Sequence, residues 1–165
     1  MKVVCNSSTL IALARIGHLD IMEKIVGDLS IPYAVYEDVA IKGTGHPGAL
    51  EVREAKWIEK INVSDRKLVL RLNASLGLGE SEAIALAKEI KADLIILDDE
   101  KAREMAISEG LRITGLLAFL VQAKEKGIIK RVKPLMDRLR EKGFFINEDL
   151  YQDVIQKAVE QNEMR

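Results

Sequence analysis

The chain has 165 residues, of which 48% are hydrophobic, 31% charged and 4% aromatic, and its formal net charge is −1. This favours one folded domain over 1–165, with a core built from Leu, Ile, Val and Ala, and it argues against a disordered chain. The near-neutral charge neither demands nor excludes nucleic acid. A single cysteine rules out an internal disulfide, and no apolar run approaches the ~18 residues of a membrane helix, so a cytoplasmic protein without a membrane role is expected.

In chain order, Val3-Val4-Cys5 reads as a buried first strand, with Cys5 as a small core residue. Asn6-Ser7-Ser8 then suits a helix cap, and helical spacing through Leu10, Ile11, Leu13 and Ala14 is stopped by Gly17. A second helix fits Leu19 to Val26. Pro32 is expected in the first turn of a third helix running to about Ile41. Lys42 to Gly48 is the most loop-like stretch and is expected to be a mobile flap. A short helix over Ala49 to Ala55 precedes an edge strand over Trp57 to Val63. Ser64 is expected to cap the helix carrying Leu68 and Leu72. Gly77-Leu78-Gly79 breaks that helix before another begins near Glu80. Leu94 to Leu97, apolar on both faces, is the clearest buried strand. Asp98-Asp99 ends it, and a helix follows through Arg103 and Ala106. A short strand over Leu111 to Thr114 and a helix from Leu116 to Lys126 come next, and a helical extension begins at about 128. Strands alternating with helices imply an α/β fold around a parallel sheet.

Sites in such sheets form beyond the carboxyl ends of strands, at the switch in strand order. Asn6 and Asp98-Asp99 stand at two strand ends that meet if their strands are neighbours there. Glu80 precedes Ala83, Ile84 and Ala87 at helical spacing and leans toward the buried face, whereas Glu82 is expected nearer solvent. By the same test Asp38 borders the buried side marked by Val35 and Val39, and Glu37 points elsewhere. A cluster of Asp38, Glu80, Asp98 and Asp99 repels itself unless a cation offsets it. Oxygen ligands without paired cysteines suit Mg²⁺ or Mn²⁺, not zinc.

Bland readings compete with each of these. Glu80 and Asp99 are well placed to stabilise helix starts through the dipole. Ser7 and Ser8 read as caps, since neither His18 nor His46 is placed to activate them. Arg103, one turn after Asp99, forms a surface ion pair or reaches a phosphate. The basic stretch Lys124, Lys126, Lys130, Arg131, Lys133, Arg138, Arg140 and Lys142 is a solvated face or a phosphate-binding surface. The tail after Asn147, with Tyr151, Val154, Ile155 and Ala158 at helical spacing, is expected to pack on the body or on a second subunit.

Three segments together, Val3 to Leu13, Gly79 to Ala87 and Leu94 to Arg103, resemble motifs of PIN-domain proteins. Ile113 to Leu120 and the Gly127-Ile128-Ile129 and Gly143-Phe144 segments resemble one PIN-like branch. The resemblance spans nearly the whole chain and implies a three-layer α/β/α fold with a central parallel sheet. It also implies a nuclease using Mg²⁺ or Mn²⁺ to cleave RNA, in many members a VapC-type toxin restrained by an antitoxin protein, and commonly a homodimer. The family's acidic positions then fall on Asn6, Asp38, Glu80 and either Asp98 or Asp99, with Ser8 as the accompanying hydroxyl. Asn6 departs from the family's usual Asp, removing a negative charge from the ligand set. The resemblance therefore implies either a weakened nuclease or a catalytically silent module binding nucleic acid or protein. A phosphatase-type hydrolase is the weaker third reading, because the first strand ends in Asn with no acid two residues on.

Overall fold

The computed structural model describes residues 1–160. Five strands, β1 (Val3–Cys5), β2 (Leu29–Pro32), β3 (Ile58–Ile61), β4 (Leu94–Ile96) and β5 (Ile113–Thr114), form one all-parallel sheet in the order β3-β2-β1-β4-β5. The inner strands β1, β2 and β4 are mainly apolar because both faces are covered, whereas the edge strand β3 exposes Glu59 and Lys60. Side chains alternate accordingly. Val3, Cys5, Leu29, Ile31 and Ile96 enter one core, while Val4, Ile95 and Leu97 enter the other.

The larger core is completed by α1 (Ser7–Arg15), α2 (Leu19–Val26), α8 (Leu116–Glu125), α9 (Lys133–Glu141) and α10 (Glu148–Lys157). The smaller is completed by α5 (Arg66–Asn73), α6 (Leu78–Glu89) and α7 (Glu100–Ser108). Each fully buried Leu or Ile in these layers, such as Leu13 or Ile84, contributes about 1.5–3 kcal/mol by leaving water. The fold is thus the expected three-layer α/β/α arrangement. Among the described residues no helix is long and apolar enough to cross a membrane.

Two local expectations are corrected. The helical path to Ile41 is present, but Pro32 is its N-cap and not part of its first turn: the short α3 (Tyr33–Tyr36) begins after it, and Leu29 to Pro32 form β2, a strand that was not expected. The Leu-Ser-Ile-Pro run is too short for periodicity to separate strand from helix. Asp65, not Ser64, caps α5, accepting a hydrogen bond from the Leu68 amide at 3.1 Å.

The tail packs on the body, with Tyr151, Val154, Ile155 and Ala158 all buried. Its last described residue, Glu160, is fully buried and accepts the Val132 and Lys133 amides at 2.7 and 3.1 Å, with Lys124 Nζ at 3.2 Å. Much of the basic stretch is engaged within the chain. Lys124 faces Glu160, Lys133 faces Asp137 at 2.8 Å, and Arg140 donates to the Ile146 carbonyl and reaches Glu148 at 3.3 Å.

Candidate active site

Parallel pairing of β1 with β4 (Val3↔Leu94, Cys5↔Ile96) puts the switch in strand order between them. Asn6 and Asp98-Asp99 therefore emerge side by side at the carboxyl edge. A pocket of about 450 Å³ opens there, and its walls include Asn6, Ser8, Asp38, Glu80 and Asp99. Asp98 and Arg103 line the neighbouring cleft instead.

Asp38 comes from a π-helical turn, Glu37–Ile41, that continues α3. The Lys42 amide donates five residues back to the Glu37 carbonyl at 2.8 Å. The widened turn ends on Gly43, where a Cβ would collide with the Val39 carbonyl. π-turns are rare and concentrate at functional sites. This one brings both Glu37 and Asp38 to the pocket wall, so the expectation that Glu37 points elsewhere is corrected: a 3.6-residue period does not hold through a π-turn. Ser7 Oγ donates to Asp38 Oδ2 at 3.2 Å, and Lys42 Nζ lies 3.5 Å from Glu37 and 3.9 Å from Asp38.

Glu80 lies in the first turn of α6, whose start approaches Asp38 closely because residue 79 is glycine. A Cβ there would stand 3.2 Å from Asp38 Oδ2 and 3.6 Å from Ser7 Oγ. Glu80 is half-buried. Burial, and then the charge of Asp99, push its carboxyl above the usual range against a hydrogen bond from the Gly77 backbone. Glu82 is not near solvent as expected but 5% exposed, and it serves the scaffold. It accepts the Ala34 amide at 3.0 Å and Arg66 Nη1 at 3.0 Å, fastening α6 to α3 and α5. An apolar-residue count could not see this face, because it is buried by polar contacts.

The neighbouring Asp98 and Asp99 diverge. Asp99 caps α7, accepting the Ala102 amide at 2.9 Å, and still lines the acidic pocket. Asp98 turns into the scaffold: Oδ1 accepts the Leu116 amide at 3.0 Å, and Oδ2 lies 3.2 Å from Thr9 Oγ1. Burial raises its pKa, opposed by the Leu116 amide, Thr9 and Arg103. Arg103 Nη1 donates to the Leu97 carbonyl at 2.9 Å, and Gly115 makes room for this corner, since a Cβ there would meet Arg103 at 2.9 Å and Asp98 at 3.0 Å.

Asn6, 3% exposed, caps α1. Its Oδ1 accepts from the Thr9 amide at 3.4 Å, Thr9 Oγ1 at 3.1 Å and Ser8 Oγ at 3.3 Å. The single Thr9 hydroxyl hydrogen thus faces two acceptors, Asn6 and Asp98. Cys5 is buried, its thiol pushed up by desolvation, as a core residue should be.

Lys42 and Gly79 are site residues that pattern reading does not single out, and Ser7, read as a cap, hydrogen-bonds Asp38. The glycine directly before Glu80 was the one available signal, since a helix start without a side chain permits a close approach. The acids present only oxygen to the pocket, and the repulsion between Glu80 and Asp99 is the kind a divalent cation relieves. Among the described residues no three acidic, His or Cys side chains are already gathered around one ion position.

An all-parallel α/β/α sheet with an acid-lined pocket at its switch point defines the class: an α/β protein that gathers carboxylates at the carboxyl edge of its sheet. The chain belongs to the PIN-domain family, whose model DUF3368, described as a PIN domain, matches residues 2–160. The PIN fold is usually a nuclease fold, generally dependent on divalent metal, and its members commonly bind RNA or antitoxins. No curated protein matches the chain.

Proposed function

We propose that this PIN domain is a divalent-metal-dependent endoribonuclease, acting as the toxin of a toxin–antitoxin pair, with an antitoxin protein as partner and a homodimer as its working form. One observation carries the reading: Asp38, Glu80 and Asp99, from three separate segments, line one pocket, in which burial and the charge of Asp99 raise the pKa of Glu80. Asp38, Glu80 and Asp99 are the residues to hold Mg²⁺ or Mn²⁺. Asp98 and Asn6 support them from behind, because their carbonyl and carboxylate oxygens are occupied by Thr9, Ser8 and Leu116. A bound ion of this kind supplies a water activated for attack and charge to offset the phosphodiester. Ser7 orients Asp38, and Ser8 is the exposed hydroxyl at the mouth facing substrate. Arg103, held by the Leu97 carbonyl, fixes the Asp98 corner and offers a cation beside it.

The test is cleavage of mixed single-stranded RNA in MnCl₂, with EDTA as control. Glu80→Gln is expected to reduce the rate about a hundredfold or more, the scale of losing one acid–base or charge-stabilising group. Equal rates in the two proteins remove Glu80 from the chemistry.

A second reading, a silent binding module, is favoured by Asn6, whose amide carbonyl caps α1 where the family usually has a carboxylate. Calorimetric titration separates the two. The nuclease reading requires Mn²⁺ binding by the wild-type chain and tighter binding by Asn6→Asp. No binding at millimolar Mn²⁺ by either supports the silent module.

A further inference from the structure

Beside the acidic pocket lies a second cleft that the proposed chemistry does not use. Ser8 lines both. The second cleft, about 220 Å³, runs between α1 and the end of α9, along Ile11, Arg15, Lys142 and Gly143 to Phe144. Among the described residues its walls include two cations, Arg15 and Lys142, and no carboxylate. Among the described residues Arg15 reaches a carbonyl, that of Lys142, at 3.5 Å, and neither side chain has an ion-pair partner, in contrast to Lys124, Lys133 and Arg140. Phe144 is half-buried and lines the next cleft too; Phe145, 84% exposed, belongs to that next cleft, whose walls carry Arg103 and Lys157 as well as Asp98, Glu100 and Glu125.

A cationic cleft beside a nuclease pocket, with an exposed aromatic ring one residue past the Phe144 that bounds it, is a combination that holds an unpaired polynucleotide. Cations track the phosphates and the ring stacks on a base. We propose that Arg15, Lys142 and Phe145 form a binding path for a single strand leaving the acidic pocket past Ser8, with Phe145 as a stacking platform for one unpaired base. A duplex keeps its base faces stacked on one another, so it offers the ring nothing. This path rests on the nuclease reading for its direction but not for its existence.

The experiment is fluorescence anisotropy of the full chain with a labelled single-stranded RNA of about 12 nucleotides, in EDTA so that nothing is cleaved. Phe145→Ala is expected to weaken binding about tenfold, and Phe145→Trp to retain it with quenching of the new indole on titration. Arg15→Ala with Lys142→Ala is expected to lower the slope of log affinity against log salt by about one to two. Phe145 and Arg15 are exposed, and matched thermal midpoints confirm intact folding of each variant. Absence of RNA binding, equal affinity for a duplex of the same sequence, or unchanged binding by Phe145→Ala overturns the path. So does a second copy or an apolar peptide that occupies the Phe145 face without competing with RNA. Cleavage assays keep the two ideas apart. Glu80-dependent cleavage with indifferent Phe145 sinks the path alone, whereas Phe145-dependent binding with no cleavage in Mn²⁺ sinks the nuclease reading alone.

Discussion

Glu80 carries opposed demands. Burial and the Asp99 charge lift its pKa in the folded chain, so folding favours its protonated form. For a carboxyl raised in this way, the stabilising contribution is complete below the unfolded value near 4.5 and is lost as pH rises through the folded value. At neutral pH the ionised side chain therefore weighs on the fold. Glu80→Gln is expected to melt above the wild type at pH 7 in EDTA, with the gap closing as pH approaches 4. Adding MnCl₂ is expected to raise the wild-type midpoint and leave the variant's in place, because only a ligand bound to the native state shifts it. Differential scanning calorimetry across pH, with and without metal, reads both effects. Gly79 gives the complementary case. Ala at this helical position gains backbone stability of about 0.5–1 kcal/mol, yet its Cβ meets Asp38 Oδ2 at 3.2 Å. Gly79→Ala is expected to fold at least as stably as the wild type while cleaving RNA more slowly, as initial-rate assays with a parallel melt would show.

At the scale of elements, the joint between α6 and α3 bears on the site although Glu82 touches no substrate. Its carboxylate satisfies the Ala34 amide at the head of the segment that carries Asp38. Glu82→Ala strands that amide and removes the Arg66 pair, and is expected to cost about 2–3 kcal/mol in urea unfolding. What could be read beforehand divides along the same lines. Leu94 to Leu97 declared itself by an unbroken apolar run with Asp98 at its end, and Val3 to Asn6 by a run closed with a cap. Those two signals sufficed to place the switch point and two of the pocket's walls. Leu29 to Pro32 was hidden because four residues carry no usable period and Pro32 argues equally for a strand end and a helix start. The Glu37–Ile41 turn was hidden because its i→i+5 bond rotates side chains away from helical expectation. Glu82 was misread because its burial is polar, and the division of labour between Asp98 and Asp99 depends on Leu116 and Thr9, neither of which is near them in sequence.

At the scale of the whole molecule, buried carboxyls in different places answer pH in opposite directions. Glu80 and Asp98 are raised, chiefly by burial. Glu160, far from the pocket, is lowered: burial pushes it up, but the Val132 and Lys133 amides and Lys124 together outweigh this. A depressed carboxyl stabilises above its unfolded value near 4.5 and loses that contribution as pH falls through the folded value. Glu160→Gln is therefore expected to lower the melting temperature at pH 7 and to make little difference at pH 3. Because Glu160 fastens the end of α10 to the start of α9, hydrogen exchange in the variant should rise first at Val132 and Lys133.

The sheet also separates the anchorage of the pocket's two sides. Asp38 is rooted through Val35 and Val39 in the larger core, while Glu80 and Asp99 hang on helices that pack through Ala83, Ile84 and Ala102 in the smaller one. The opening between them works like a vice whose jaws are bolted to different blocks. Its aperture is fixed by how each block is filled, so a methylene lost deep in either one retunes the grip on an ion that no altered residue touches.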